Sequence, residues 1–297
     1  EASGATPVRE ARRQLAADLR RHAVARGEGG AARIVHGWGH EGRLQVGGFA
    51  DPDGASRDSA TANAFWVLSG LAGETPELRD AILAAFRRLD SKYGVKTLHP
   101  AFPPGTPGVG RIGKLPAGTA ENGAVYVHAT AFAVMALFEM GEPRLAWEQL
   151  AMILPFTALH ERMSHSPFVM PNSYCENAGL GLDGESMNNW QTGSSNVVLK
   201  TLVRHVAGFQ PRDGLLRVAP AAWRPFEGFT CSLNYLGRPL TIRASRGSGA
   251  ERAFRLGGRD VPGRLDPAMR CLVLEIPVAD LPQGPIEVDV LDPAPTV

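Results

Sequence analysis

Apolar residues recur at helical spacing through the first two thirds of the chain. Ala11, Leu15 and Leu19 stand four residues apart, which predicts a first helix. Five more segments with helical periodicity follow, at 62–70, 82–89, 125–140, 144–159 and 197–206. Long stretches rich in glycine, proline and asparagine separate the helices, at 27–57, 91–120 and 164–194. Loops this long usually carry function, so the pattern predicts a toroid of paired helices whose loops gather at one rim.

The periodicity changes near residue 209. Five short segments with alternating apolar and polar residues follow, at 215–218, 229–235, 240–244, 272–276 and 286–290. Turn residues such as Gly237 and Gly257 separate them. We therefore predict a mainly helical domain over residues 1–209 and a small antiparallel β domain over residues 210–297.

Composition narrows the class of protein. The 297 residues are 44% hydrophobic, which is enough for one large and one small domain. The net charge of +1 argues against nucleic acid and membrane partners. The most apolar run, 124–138, is too short to span a membrane. Three widely spaced cysteines are typical of free thiols in a reducing compartment, so we expect a cytoplasmic protein. The first residue is not Met, and we expect the chain to be part of a longer protein.

The loop at 186–196 runs directly into the last predicted helix. It ends in glycine and hydroxyl residues, which suit the N-terminus of a helix. Such an end carries free N–H donors and partial positive charge, so it can hold a phosphate. Thr192 offers a hydroxyl, and Gly193 allows close backbone approach to a ligand. Trp190 could stack on a sugar ring or fill the core.

A second candidate lies where Asp51 and Asp53 flank Pro52. Two carboxylates held close together cannot both ionise freely, so one can keep a proton and act as a general acid. The alternative is an Asp-rich turn that is solvated or caps the helix starting near Ser59.

Glu121 and His128 form a third candidate. They stand seven residues apart, which places them on one helical face if the helix begins that early. A carboxylate and an imidazole could then bind sugar hydroxyls and a phosphate. The alternative is a capping Glu and a hydrogen-bonded core His.

Metal and cofactor motifs are weak. His36 and His40 lie close in sequence, but no third metal ligand is indicated. No glycine motif for a dinucleotide or a nucleotide phosphate occurs in a strand–turn–helix context. We expect neither a metal nor an organic cofactor.

Together these segments resemble the inverting disaccharide and oligosaccharide phosphorylases of glycoside hydrolase family 94, the cellobiose and chitobiose phosphorylase group. Residues 47–51 look like the family's Gly-Asp-Trp-Asn-Asp segment, with Phe49 at the Trp and Asp51 at the final Asp. Residues 121–123 with His128 look like its Glu-Asn-Gly-Gly…His segment, and residues 190–193 look like its Trp-Leu-Thr-Gly segment. Residues 208–215 and 220–223 resemble the hinge into its C-terminal β domain.

The resemblance implies a role for each candidate residue. Asp51 is the expected general acid. The expected sugar-binding residues are Phe49, Asp53, Glu121, Trp190 and Gln191. The expected phosphate-binding residues are His128, Thr192 and Gly193. Gly48 and Ala50 depart from the cellobiose-type pattern, and residues 47–54 with 170–174 look closer to the 1,2-β-oligoglucan phosphorylase branch.

The resemblance also implies an architecture and partners. The chain corresponds to the C-terminal part of an (α/α)6 helical barrel followed by a small β-sandwich. The missing N-terminal half would supply the rest of the barrel and the phosphate-binding arginine, and a homodimer is possible. Inorganic phosphate is the expected co-substrate, and a β-glucan oligosaccharide is the expected substrate.

Three functions stay open from the sequence. The first is inverting phosphorolysis, in which phosphate attacks the anomeric carbon and one acid protonates the leaving oxygen. The second is an inverting glycoside hydrolase, which needs two carboxylates and would use Asp51 as acid and Glu121 as base. The third is a non-catalytic fragment or subunit that needs the missing half.

Overall fold

The computed structural model describes residues 5–26, 30–40, 43–47, 57–74, 76–155, 169–189, 193–212 and 214–293. The chain divides into two compact units. Unit 1 contains Glu1–Ala136 and Gln149–Ser194, and unit 2 contains Leu137–Glu148 and Ser195–Val297. The strand-rich part of the chain begins at Phe209, whereas the last boundary between the two compact units falls between residues 194 and 195. The predicted domain boundary at 209/210 stays a prediction.

Six α-helices lie in the described residues: α1 (Ala5–His22), α2 (Ala60–Leu68), α3 (Pro76–Leu89), α4 (Val127–Glu139), α5 (Pro143–Ile153) and α6 (Ser194–Thr201). They match the six helical segments expected from the periodicity. A π-helical turn, Leu202–Val206, extends α6. The (α/α)6 barrel itself stays a prediction. No helix in the described ranges is both long and apolar enough to cross a membrane.

Local chemistry explains where two of these helices begin. Ser59 caps α2, because its Oγ accepts a hydrogen bond from the Ala62 amide at 3.4 Å. Pro76 opens α3 at a position where its missing N–H costs nothing. Arg87 and Arg88 lie in the last turn of α3, where positive charge interacts favourably with the helix dipole.

The described residues of unit 1 also contain nine short strands: β1 (Val24–Arg26), β2 (Ala32–Ile34), β3 (His36–His40), β4 (Arg43–Gly47), β5 (Asp58–Ser59), β6 (Leu98–His99), β7 (Val125–Tyr126), β8 (Ser173–Tyr174) and β9 (Ser186–Met187). The prediction of one continuous loop over 27–57 was therefore wrong, since β3 and β4 form an antiparallel hairpin there. Strands this short offer too few alternations to stand out in sequence, and their stability comes from pairing.

Unit 2 contains the remaining described strands: β10 (Phe209–Arg212), β11 (Leu215–Val218), β12 (Phe229–Tyr235), β13 (Arg238–Arg246), β14 (Ala253–Leu256), β15 (Arg259–Val261), β16 (Arg264–Asp266), β17 (Cys271–Pro277) and β18 (Ile286–Asp292). They form a four-stranded sheet, β10-β11-β17-β16, and a five-stranded sheet, β12-β13-β18-β14-β15. Leu216 and Leu274 of the first sheet share one buried core with Ile242 and Val288 of the second. This arrangement fits the expected sandwich.

The prediction of a wholly antiparallel β domain was wrong at one pair of strands. β13 and β18 are parallel, in register from Leu240 with Ile286 to Arg246 with Asp292. Parallel neighbours need a long crossover connection. The chain between these strands is long enough, because it contains β14 to β17.

Buried charges in unit 2 are paired. The Asp292 carboxylate, 1% exposed, accepts hydrogen bonds from Arg224 and, at 2.7 Å, from Nε of Arg252. Removing one partner of such a set would leave an uncompensated buried charge.

The three cysteines of the chain are free thiols, and burial raises the pKa of Cys175 to about 11.

Candidate functional site

Glu121 lies in a tight loop and not on a helix. Because α4 begins only at Val127 and β7 precedes it, Glu121 and His128 do not share a helical face, and that expectation was wrong. Glu121 Oε1 accepts a hydrogen bond from the Arg111 guanidinium at 2.7 Å. Glu121 Oε2 is buried and accepts no hydrogen bond from any residue of the described ranges. One oxygen is thus fixed, and the other can receive a hydroxyl.

Asn122 fixes the position of this loop. Its side chain is fully buried, and its Oδ1 accepts from the Phe102 amide at 2.8 Å. Its Nδ2 donates to the carbonyl oxygens of Phe102 and Leu115, each at 2.9 Å. Replacing this buried, fully hydrogen-bonded amide by an apolar side chain would reduce stability, because the backbone groups that it binds would be left unpaired. Sequence analysis gave Asn122 no role of its own, although it lies inside the quoted Glu-Asn-Gly segment.

His128 and Gly193 lie next to each other. His128 is in the first turn of α4, half-buried, with its ring 5.0 Å from that of Phe132. A Cβ placed on Gly193 would stand 3.4 Å from Cε1 of His128 and 3.8 Å from Nδ1. Gly193 itself is exposed and directly precedes α6, which begins at Ser194. The structure therefore brings the His128 imidazole next to Gly193, from segments about 65 residues apart in sequence.

A three-stranded sheet joins the segments around this site. β7 pairs with β8, and β8 pairs with β9. The Val127 amide donates to the Asn172 carbonyl at 3.0 Å, and the Asn172 amide donates to the Met187 carbonyl at 3.0 Å. Asn172 Nδ2 also donates to the Tyr126 hydroxyl at 3.1 Å. These hydrogen bonds thus fix the start of α4 relative to β9.

Six of the predicted site residues lie outside the described ranges: Phe49, Asp51, Asp53, Trp190, Gln191 and Thr192. The described chain resumes at Arg57, six residues after Asp51. Arg57 is buried, its Nε donates to the Pro100 carbonyl at 3.0 Å, and its guanidinium lies 3.8 Å from the centre of the Phe102 ring. Phe102 is held by Asn122, so Arg57 is fastened to the loop of Glu121. Sequence analysis did not find this connection.

Two neighbouring residues have structural roles. Asp58 is buried and forms ion pairs with Arg33 at 2.8 Å and with Arg88 at 2.6 Å. Ser59 caps α2. The cap of this helix therefore does not depend on the aspartates at 51 and 53. Among the residues that the structure describes, no group of three or more His, Cys, Asp or Glu side chains is placed to hold a metal ion.

Comparison with known protein families identifies the family of the domain that contains this site. The family model described as the glycosyl hydrolase 94 superfamily, catalytic domain, matches residues 12–208. The chain belongs to this superfamily. The match spans Glu121, His128 and Gly193, so the described site lies inside the glycosyl hydrolase 94 catalytic domain.

Individual relatives carry more specific names. The chain is 28% identical over 222 residues to 3-O-beta-D-glucopyranosyl-beta-D-glucuronide phosphorylase of Paenibacillus borealis, covering 71% of this chain and 29% of the relative. It is 27% identical over 206 residues to solabiose phosphorylase of Paenibacillus borealis, covering 68% and 27%. It is 26% identical over 206 residues to cyclic beta-(1,2)-glucan synthase of Rhizobium meliloti, covering 66% and 7%. The chain thus spans less than a third of the length of these glycosyl hydrolase 94 relatives.

Proposed function

We propose that this chain carries part of the active site of an inverting glycoside phosphorylase. The reaction splits β-linked gluco-oligosaccharides with inorganic phosphate, and it yields α-glucose 1-phosphate and a shortened glycan. The observation that carries the proposal is the closeness of His128 to Gly193 at the N-terminus of α6. The two Paenibacillus borealis phosphorylases to which the chain is similar support the same class of reaction.

Phosphate binding follows from the chemistry of this corner. The N-terminus of a helix carries partial positive charge from the helix dipole, so the start of α6 favours an anion beside Gly193. The His128 imidazole adds a donor next to Gly193. A Cβ at 193 would occupy space beside the imidazole, so glycine keeps that space open for a phosphate oxygen. Thr192 is proposed to add its hydroxyl to the same site.

Catalysis then needs one acid and no base. A phosphate oxygen attacks the anomeric carbon as the glycosidic C–O bond breaks, and Asp51 gives its proton to the leaving oxygen. The attack occurs on the face opposite the leaving group, so a β-linkage gives an α-phosphate. Phosphate arrives as an anion, and placement and charge compensation replace the base that activates water in an inverting hydrolase.

The sugar is proposed to lie between the acid segment and the loop of Glu121. Oε2 of Glu121 is available to accept a sugar hydroxyl, since Arg111 holds the other oxygen. Phe49, Asp53, Trp190 and Gln191 are proposed to line the same sugar site. We further propose a β-1,2 linkage, which the pattern of residues 47–54 favours and which the name of the Rhizobium relative supports.

Two alternative functions compete with the proposed phosphorylase. An inverting hydrolase would use Glu121 as the base, yet the Arg111 guanidinium already occupies one oxygen of that carboxylate. A fragment that is inactive without an upstream half is favoured by the share of the relatives that the chain covers, 29% and 27%. Leu15 and Phe65, which are 61% and 47% exposed, offer apolar surface for such a half. A cytoplasmic location and a homodimer stay predictions.

Phosphate dependence tests the proposal. Residues 1–297 alone should release no sugar 1-phosphate from β-1,2-linked glucan, because half of a catalytic site gives essentially no rate. Adding the upstream half of the parent polypeptide should produce phosphate-dependent release of α-glucose 1-phosphate. In that complete enzyme, Asp51→Asn should reduce turnover by about a hundredfold or more. Release of free sugar without phosphate would support the hydrolase, and full activity of residues 1–297 alone would contradict the need for a second half.

A further inference from the structure

A small pocket lies beside the loop that carries Glu121. Its volume is about 390 Å³. Its polar lining comes from Lys96, His99, Glu176 and Asn177, and its apolar lining includes Leu98 and Ala117. Pockets for small molecules generally measure about 300–1,000 Å³. This pocket therefore suits a single small ring and not a long chain.

The loop of Glu121 forms one wall of this pocket. Gly118 and Gly123 both line it, and Glu121 lies between them. The Gly118 carbonyl accepts a hydrogen bond from the Glu176 amide at 2.9 Å. A Cβ on Gly118 would stand 2.0 Å from the Glu176 carbonyl oxygen, so no side chain fits there. Backbone without side chains therefore forms the wall of the pocket next to the proposed sugar site.

The charges of the pocket cancel. Lys96 Nζ lies 3.5 Å from Glu176 Oε2, and both side chains are largely buried, with 14% and 30% exposed. Burial and the nearby Lys96 ammonium lower the pKa of His99, so its ring is neutral near pH 7. A neutral imidazole has one donor and one acceptor. The pocket therefore offers donors and acceptors without a net charge.

One carboxylate oxygen in the pocket makes an ion pair but no hydrogen bond. Glu176 Oε2 is buried and lies 3.5 Å from the Lys96 ammonium, and it accepts no hydrogen bond from any residue that the structure describes. A buried acceptor without a hydrogen bond is costly, so a hydroxyl donor is favoured beside this ion pair. An anionic ligand would meet the Glu176 carboxylate, and a cationic ligand would meet Lys96. A neutral ligand with several hydroxyl groups satisfies both side chains.

We propose that this pocket binds one neutral hexose unit of the glycan, whose hydroxyl groups donate to Glu176 and accept from Lys96. The proposal rests on the proposed function for the identity of the glycan, and it adds a sugar-binding position outside the residues assigned to the reaction. Such a position would favour glycans that reach from the loop of Glu121 into the pocket.

Methyl NMR of residues 1–297 tests the proposal without any catalytic activity. Ala117 and Ala178 line the pocket, and their methyl resonances report on a bound sugar. A β-1,2-linked glucose disaccharide should shift both resonances in a saturable way, and inorganic phosphate alone should leave them unchanged. In the same spectra the Gly193 amide reports on phosphate. A sugar response without a phosphate response would contradict only the phosphate site, and the reverse would contradict only the pocket.

Matched variants show which groups bind the sugar. Glu176→Gln keeps the shape of the side chain, and Lys96→Met keeps most of its length. Each should weaken sugar binding by about tenfold or more, since a hydrogen bond to a charged group is lost. Lys92→Met is the control, because Lys92 pairs with Asp183 and does not line the pocket. Circular dichroism melting curves check that each variant is folded. Methyl resonances that stay unchanged in the folded wild-type chain at high sugar concentration, or equal affinity in all variants, would overturn the proposal.

Discussion

His128 in unit 1 and His205 in unit 2 each stack on a phenylalanine, but their surroundings differ. The His128 ring lies 5.0 Å from that of Phe132 and borders the exposed Gly193. The His205 ring lies 6.0 Å from that of Phe138, nearly parallel to it, and His205 is fully buried. Neither ring nitrogen of His205 has a hydrogen-bond partner in the described part of the chain.

The difference shows that access decides what a histidine can do. Burial, with a further contribution from the positive charges of Arg204, Lys200 and Arg217, lowers the pKa of His205 to about 3. His205 is therefore a neutral aromatic ring in a packed interior. His128 borders Gly193, which is exposed and directly precedes α6. The same residue type serves packing in one region and is proposed to serve binding in the other.

The largest expected effect is on stability at His205. Substituting His205→Ala removes a buried ring and leaves a cavity, so we expect a loss of about 2–4 kcal/mol in the free energy of unfolding. His205→Phe is the control. It keeps a ring against Phe138 and removes two unpaired nitrogens, so it should change stability by less than about 1.5 kcal/mol. Urea unfolding measures both. A loss in His205→Phe as large as that in His205→Ala would mean that the ring nitrogens, and not the volume of the ring, stabilise the fold.

The second expected effect, smaller for each pH unit, is on the pH dependence of stability. The unfolded pKa of His205 is near 6.5 and its folded pKa is about 3. Below pH 6.5 the unfolded chain binds a proton that the folded chain does not, so the stability present above pH 6.5 is lost as the pH falls toward 3. The contribution of His205 should decrease by about 1.4 kcal/mol for each pH unit in this window.

Glu139 makes a difference measurement necessary. Burial raises the pKa of Glu139 above 4.5, so its contribution to stability falls as the pH rises and opposes that of His205. Subtracting the unfolding free energy of His205→Phe from that of the wild-type chain at each pH isolates the His205 contribution. A difference that stays flat between pH 4 and 6.5 would contradict a buried neutral imidazole.

The third expected effect is on phosphate binding at His128. His128→Ala should weaken phosphate binding by about tenfold or more, because a hydrogen bond to an anion is lost. Stability should change by less than the loss expected for His205→Ala, since the His128 ring is only half-buried. Phosphate titration followed at the Gly193 amide measures the first effect. Weaker sugar binding with unchanged phosphate binding would place His128 in the sugar site instead.

Helices and main strands could be predicted from the sequence because their periodicity is long. The apolar run in α4 covers more than three turns, and β12 and β18 each alternate over seven residues. The hairpin of β3 and β4 was missed because each of its strands has five residues, which is too few for a clear alternation. The parallel pairing of β13 with β18 is a long-range choice, and no local pattern encodes it.

The candidate site shows the same limit. The residue types at Glu121, His128 and Gly193 identify a binding chemistry, and the structure brings the last two together. Their arrangement depends on groups that sequence spacing does not reveal. Asn122 is buried among backbone groups of Phe102 and Leu115, which are 20 and 7 residues away. A short-range helical periodicity across Glu121 and His128 suggested a shared helix face, but the turn and β7 intervene.

The smallest expected effect is at Gly193, and it tests whether the space beside His128 binds phosphate. A Cβ at 193 would make ordinary contact with the His128 ring at 3.4 Å. The fold should therefore tolerate Gly193→Ala, with a change in stability of less than about 1 kcal/mol. The added methyl would occupy the space proposed for a phosphate oxygen, so phosphate binding should weaken several-fold, and Gly193→Val should weaken it further. Gly73→Ala is the matched control, because a Cβ there has no neighbour within 4 Å. Unchanged phosphate binding in both Gly193 variants would mean that the space beside His128 does not hold the anion, and the two histidines would then differ only in burial.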